Sequence, residues 1–435
     1  MIINREKIKT QFPLIAKSVR YVKKRKNELS ALKRHISRKN YQKNNCRLNQ
    51  GKIKVVFICQ YIPAWSKNKQ LFETLKKDLR FEVMLLCVPN RIHGNMLIDS
   101  KDLTNDTYDY FSEHGYKEAV NALIGQNEWF DLKHIHPDYV IVNRGDRPMP
   151  LPYTSSEIAC YAKICFISYG GGALLKSEEY MFDKTLISNE FCQFATSAES
   201  KHIFEDWNSI LCKLGLTHSY VCGRSSVENA YKAQFDITPS WDFSENSFRL
   251  IYTPRWTLEK AWGGSSFIKY KDTFVSLADE NLDIDILIRP HPLMFDNFIN
   301  TGIMSENEVN EYNLLCESKK NIRIDKEKEY LASFWNSSVL VCDFSSVLIE
   351  YFVTGKPIIY LTYDEKIDYT DQMKKVLSSC YIANNENELV VLIHELKNGN
   401  DTLKNKRIAV FEEEFSNSLN VSEQMKQILI NEYKH

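Results

Sequence analysis

A chain of 435 residues holds two domains of ordinary size plus an extension, and 56 cations against 56 carboxylates leave no average charge from which to argue a partner. Eleven scattered cysteines without a CxxC pair argue against a disulfide framework and for reduced thiols in the cytosol. No apolar run approaches the roughly 18 residues that span a bilayer, and the charged start lacks the apolar core of a signal peptide.

The charge is unevenly distributed. Residues 1–50 carry 15 Lys and Arg against only Glu6 and Glu28, a net +13 that leaves −13 for the remainder. Ile15, Val19, Val22, Leu29, Leu32 and Ile36 recur at helical spacing. A basic amphipathic helix of this kind reads as an element attracted to an anionic membrane surface. The competing reading is a helix docked on the acidic body of the same chain. Nucleic acid is not an expected partner. The expected location is cytoplasmic, peripheral on the inner face of the cell membrane.

From residue 51 the pattern changes to strands and helices in alternation. Lys54–Cys59 reads as a strand, followed by a loop at 61–66, a helix carrying Leu71, Phe72, Leu75 and Leu79, and a strand at Phe81–Val88. This order begins a Rossmann-like sheet. Neither GxGxxG nor GxxxxGK[ST] occurs, so dinucleotide binding and ATP hydrolysis lack their usual signatures. Tyr139–Val142 is a further strand, followed by Asn143, Arg144, Gly145, Asp146 and Arg147. Lys163–Ser168 is another, followed by Tyr169 and the glycines Gly170, Gly171 and Gly172. His134 and His136 alternate, but no third ligand accompanies them, so zinc is not expected.

The last two hundred residues hold three strands that end in groups suited to phosphate. Phe248–Tyr252 runs into Thr253-Pro254-Arg255-Trp256. Asp285–Ile288 runs into Arg289-Pro290-His291-Pro292, where two prolines exclude helix. Val339–Cys342 runs into Asp343-Phe344-Ser345-Ser346 and then a helix marked by Val347, Leu348, Tyr351 and Phe352, stopped by Gly355 and Pro357 before a strand at Pro357–Leu361. Strand carboxyl ends are where open α/β sheets bind ligands, and a helix start favours phosphate. The bland reading makes Ser345 a simple N-cap and Glu350 a solvated helix residue. Asp283-Ile284-Asp285 has the look of a metal-binding DxD, but it opens a strand, away from the ligand edge, and reads as solvated carboxylates. Helices fill the chain beyond Asn384. The last, with Val421, Met425, Ile428 and Leu429, is expected to pack back across the domain junction.

The runs YTPRW (252–256), GGSSF (263–267), RPHP (289–292) and DFSSVLIEYFVTGKPIIYLTYD (343–364) resemble the C-terminal half of the CDP-glycerol glycerophosphotransferase family, which comprises teichoic-acid primases and polymerases and relatives in capsule synthesis. The similarity holds from about Phe248 to Asp364, weakens between Gly51 and Gly223, and does not reach the first fifty residues. It implies an α/β GT-B fold of two Rossmann-like domains facing a cleft. The domains would be a basic helical extension at 1–50, an acceptor domain at 51–240 and a nucleotide-donor domain at 241–435.

The implied reaction is attack by a hydroxyl of a glycan or lipid-linked acceptor on the glycerol-bearing phosphate of CDP-glycerol, with CMP leaving, without cofactor or metal. On this reading Arg255, Ser265, Arg289, Asp343, Ser345, Ser346 and Glu350 bind the donor, and His291 is catalytic, donating a hydrogen bond or a proton to the leaving phosphate. Arg144, Arg147, Gly170 and Gly171 bind the acceptor side, with Asp146 or Tyr169 in contact with the acceptor. The family's polymerases carry Trp-His-Gly where this chain has Ser168-Tyr169-Gly170, which leaves the base open. Two other readings stand: a GT-B glycosyltransferase using a CMP- or UDP-sugar held around Trp262–Ser266, or a membrane-bound relative that has lost catalysis. Acceptor identity, glycerol against ribitol phosphate, and single transfer against polymerisation are not legible.

Overall fold

The computed structural model describes all residues except 1–12, 46–50, 91, 94–95, 98–103, 146–148, 169–182, 236–240, 242, 244–245, 247, 259–263, 328–329, 363–366, 368 and 434–435. The chain divides into two units. The first comprises residues 1–169, 179–223 and 422–435, and the second comprises 170–178 and 224–421. Both boundaries differ from the sequence expectation. The helix Ser225–Lys232 falls with the second unit because Val227 and Ala230 enter a core with Leu331, Phe334 and Leu348. The last helix falls with the first unit.

The first unit is built on a fully parallel sheet. Its strands are β1 (Ile53–Cys59), β2 (Phe81–Cys87), β3 (Ala119–Asn121), β4 (Tyr139–Val142), β5 (Lys163–Ile167), β6 (Cys192–Ala195) and β7 (His218–Val221), in the order β7-β6-β5-β4-β1-β2-β3. A parallel sheet covered on both faces takes near-continuous apolar strands, and Val55 to Cys59 and Tyr139 to Val142 are accordingly buried without alternation.

The second unit repeats the plan. Strands β8 (Phe248–Thr253), β9 (Ile284–Ile288), β10 (Ile322–Ile324), β11 (Val339–Cys342), β12 (Ile358–Leu361) and β13 (Tyr381–Ala383) lie in the order β10-β9-β8-β11-β12-β13, all parallel. One apolar layer packs Tyr252, Phe267, Phe274 and Phe298 against one face, and another packs Ile251, Leu340, Tyr351 and Phe352 against the other. In both sheets the strand order reverses beside the first strand, between β1 and β4 and between β8 and β11. Those are the switch points where such sheets receive ligands.

The extension is one helix, α1 (Pro13–Asn45), docked on the first unit. Of the apolar stripe, only Leu32 among the described side chains enters the contact, against Ala31, Leu211 and Leu216, and the side chains of Ile15 and Val19 lie outside the described ones. Val22, Leu29 and Ile36 are exposed, Leu32 is half-buried, and the buried line is Glu28, Ala31, His35 and Arg38. The Glu28 carboxylate caps Ile210 N–H at 2.9 Å, and Arg34 reaches Asn189 Oδ1 at 3.1 Å. The docked-helix reading therefore holds for this face, and Val22, Leu29 and Ile36 with Lys23, Lys26 and Lys33 point to solvent.

Candidate active site

The site is assembled at the β8/β11 switch point around Asp343, the residue after β11. Its side chain is 3% exposed. One carboxylate oxygen, Oδ2, accepts three hydrogen bonds: from Arg255 N–H at 3.0 Å, Ser266 N–H at 2.8 Å and Ser266 Oγ at 2.8 Å. The loops after β8 and β11 and the start of the helix α2 (Phe267–Glu280) are thus tied to one group. Gly264, at φ +62°, supplies the left-handed turn that delivers Ser265 and Ser266 to that helix start. Ser265 Oγ accepts from Phe267 N–H at 3.3 Å. Burial pushes the Asp343 carboxyl up to about 6, against the pull of its three donors and of the Arg255 charge. Its Oδ1 has no hydrogen-bond partner among the described residues.

Arg255 is held by more than its backbone. Its Nη1 donates to Phe344 O at 2.7 Å, and the guanidinium lies 4.8 Å from the Phe344 ring centre. Arg289, after β9, pairs with Asp325 at 2.6 Å and stacks over Tyr330 at 4.6 Å. The Tyr330 hydroxyl donates to Glu350. Glu350 is 2% exposed, so it braces the Arg289–Tyr330 stack from within and is not the solvated helix residue of the bland reading.

His291 follows two residues after Arg289. Its Nδ1 accepts from Leu293 N–H at 3.2 Å, which leaves the proton of the neutral ring on Nε2. Burial, with the Arg255 charge, pushes its pKa down to about 4. Near neutral pH this imidazole is a hydrogen-bond donor and not a cation.

Ser345 Oγ accepts from Val347 N–H at 3.3 Å, and the helix that follows, α3 (Val347–Phe352), is six residues long. So short a helix sums little dipole, and it is α2 that brings the longer macrodipole to this switch point. The signal for it was GGSSF directly before an apolar-periodic run. Lys356 of the GKP run is structural: burial pushes it down to about 8, and its Nζ donates to the carbonyls of Trp335 and Ser337.

In the first unit, Arg144 follows β4 and lies 5.1 Å from the Tyr61 ring centre. Asp146, Arg147, Tyr169, Gly170 and Gly171 lie outside the described residues. The DxD pair splits. Asp283 is exposed and paired with Lys397, whereas Asp285 is buried and accepts from Asn246 N–H at 3.0 Å and Asn246 Nδ2 at 2.9 Å, so it is not a solvated carboxylate. Among the described residues no group of three or more His, Cys, Asp and Glu could hold a metal.

Comparison with known proteins places this architecture. Residues 236–425 match the CDP-Glycerol:Poly(glycerophosphate) glycerophosphotransferase family. The second unit is thus similar to that family. Its members are transferases. The chain is 24% identical to the minor teichoic acid biosynthesis protein GgaB of Bacillus subtilis (strain 168), over 86% of this chain and 44% of that protein. It therefore spans less than half the length of that relative. Among solved structures it is similar to the wall teichoic acid polymerase TagF, with TM-score 0.57 and 14% identity over 95% of this chain and 98% of the other. It is also similar to UDP-GlcNAc 2-epimerase from Neisseria meningitidis bound to UDP-GlcNAc, with TM-score 0.57 and 14% identity over 87% of this chain and the whole of the other. At that identity the likeness is one of fold, which is GT-B.

Proposed function

We propose that this chain is a glycerophosphotransferase that moves glycerol phosphate, or a similar polyol phosphate, from CDP-glycerol to a hydroxyl of a glycan or lipid-linked acceptor in the synthesis of teichoic acid or capsule. The observation that carries it is the convergence of Arg255, the Arg289–His291 turn and Ser345–Ser346 on three adjacent strand ends, with Asp343 fixing two of them. In the transfer, the acceptor oxygen forms a bond to the glycerol-bearing phosphorus and the bond to the CMP oxygen breaks. The departing electron pair stays on CMP, and the acceptor proton goes to a base on the acceptor side, for which Asp146 and Tyr169 are the candidates. Such reactions need positioning and charge stabilisation above all.

Arg255 and Arg289 neutralise the pyrophosphate, since a guanidinium matches phosphate geometry. Ser345, Ser346 and Ser265 supply hydroxyls. The neutral Nε2–H of His291 hydrogen-bonds the leaving phosphate. A phosphate whose second pKa is near about 6 needs no proton to depart, so a hydrogen bond suffices. Arg144, Arg147, Gly170 and Gly171 serve the acceptor. The exposed face of α1, with Lys23, Lys26 and Lys33 beside Val22, Leu29 and Ile36, holds the enzyme at the anionic inner face of the membrane. Among the described residues no helix is long and apolar enough to cross it.

The test is a donor screen with the purified chain. Acceptor-dependent CMP release from CDP-glycerol, surviving EDTA, is the expected result. Turnover of a nucleotide sugar alone would establish the glycosyltransferase reading. Donor binding without turnover of any donor would establish a non-catalytic relative.

A further inference from the structure

The first unit holds a cavity of ≈ 460 Å³ that the transfer reaction does not use. Its lining includes Asp138, Lys163 and His218, which stand at or just before the first residues of β4, β5 and β7. It therefore opens at the amino ends of the strands, the edge opposite the loops that carry Arg144. α1 supplies Arg38 and Lys39, and the last helix, α4 (Val421–Tyr433), supplies Glu432.

The charges around this cavity do not balance. Arg38 is 1% exposed, and no carboxylate among the described residues pairs with it. Its Nη1 donates to His35 Nδ1 at 2.8 Å, a ring held neutral by burial, with its pKa pushed down to about 3. Its Nε has no hydrogen-bond partner among the described residues. Lys163 shares a ring with it: the two cations lie 4.6 and 4.9 Å from the Phe191 ring centre, and after burial the Arg38 charge helps to push the Lys163 pKa down to about 8. Lys163 Nζ donates to the Glu432 carbonyl at 2.6 Å and forms no ion pair among the described residues. The cavity's two carboxylates attract Lys163 through space but hydrogen-bond other groups. Asp138 Oδ2 accepts from Lys54 N–H at 2.8 Å, and Glu432 accepts from the Tyr220 hydroxyl, with His218 at 3.8 Å.

A buried guanidinium without a counter-charge is costly, and a protein retains one where something else supplies the charge. A guanidinium and an ammonium converging on one polar cavity suit a phosphate, which accepts the fork of the first and the point charge of the second. We propose that this cavity is a second anion site, which binds the phosphate group of a small phosphorylated ligand or of a phospholipid headgroup through Arg38 and Lys163. Because Arg38 lies on α1 and Lys163 at the start of β5, a bound phosphate would brace that helix against the sheet.

The experiment uses the full chain carrying Arg255→Met, which weakens phosphate binding at the donor site. Thermal unfolding is followed against inorganic phosphate, with sodium chloride at matched ionic strength as control. A saturable rise in melting temperature beyond the chloride control is expected, with its loss in Lys163→Gln and in Arg38→Met. Lys163→Gln alone decides the matter if Arg38→Met fails to fold. A parallel arm uses short-chain phosphatidylglycerol below its micelle concentration. Saturation by inorganic phosphate identifies a small soluble anion, whereas saturation only by the lipid identifies a headgroup. The proposal is overturned if neither probe exceeds chloride, or if the Lys163→Gln protein responds as its parent does.

Discussion

The two sheets share one topology and reverse it at the same place, yet the two switch points are furnished differently. At β8/β11 the loops are polar and cationic: Asp343 gathers three donors, and Arg255 and Arg289 are stacked on Phe344 and Tyr330. At β1/β4 the loop after β1 buries an aromatic cluster instead, with Trp65 against Phe57, Phe72, Phe111 and Tyr116 at ring-centre distances of 5.2–6.2 Å. Arg144, after β4, lies over Tyr61 of that loop. Topology decides where a ligand can lie, and the side chains that finish the strands decide its charge. The second unit is furnished for a pyrophosphate. The described part of the first is furnished with rings packed into its own core.

The largest effect should come from exchanging charge at the two places. Arg255→Met is expected to slow acceptor-dependent CMP release by about 30- to 1000-fold, the ~2–4 kcal/mol typical of one lost contact to developing charge. Arg144→Met should cost less than about tenfold. Equal losses in the two variants would erase the distinction drawn between the switch points.

Next comes Asp343, whose folded pKa of about 6 lies above the usual 3.8. A raised carboxyl favours the folded state while protonated, and that advantage disappears as pH rises from 4 through 6. Asp343→Asn stays neutral, so it should gain up to about 3 kcal/mol on wild type between pH 4 and pH 7 in urea unfolding. A stability difference that does not change with pH would mean that the carboxyl is not penalised by burial.

Much of this was legible in the sequence. The strands at Tyr139–Val142 and Val339–Cys342 were read to the residue, and the six others that were read came within one residue at either end, because parallel strands buried on both faces are short apolar runs between polar breaks; β3, β6, β7, β10 and β13, each of three or four residues, were not read. Arg255, Arg289 and His291 were placed at strand ends for the same reason. What escaped were the ties between distant residues. Asp343 meets Ser266 across 77 positions and Tyr330 meets Glu350 across 20, and no local periodicity encodes either. The extension misled in a different way. Glu28, Ala31, His35 and Arg38 are spaced as helically as the apolar stripe, but three of the four are polar, so a hydrophobic period cannot find the face that docks.

Two smaller effects sharpen the contrast further. Tyr330→Phe should cost about 1–3 kcal/mol of stability by leaving the buried Glu350 short of a donor, measured by chemical unfolding, while the Arg289 stack persists. Unchanged stability would show that Glu350 finds another donor. On α1, replacing Val22, Leu29 and Ile36 together by Gln should move stability by no more than about 0.5 kcal/mol per exposed site, yet weaken flotation with anionic vesicles. Equal flotation with neutral and anionic vesicles, or none with either, would remove the membrane from the reading. These surface changes are cleaner than deleting residues 1–50, which would also strip Glu28 and Arg38 from the docked face.

The return of the chain to its first unit constrains how the protein is made. Tyr139 donates its hydroxyl to Leu429 O at 2.9 Å, 290 residues on, and Lys163 reaches Glu432 O, 269 residues on. During vectorial synthesis the ribosome must therefore deliver the whole second unit before α4 can seal the sheet begun at Ile53. Until then Tyr139 and Lys163 stand uncovered at a sheet edge. The nascent first unit is an incomplete body that waits on its own last helix, and contacts of such separation are the slow ones in folding.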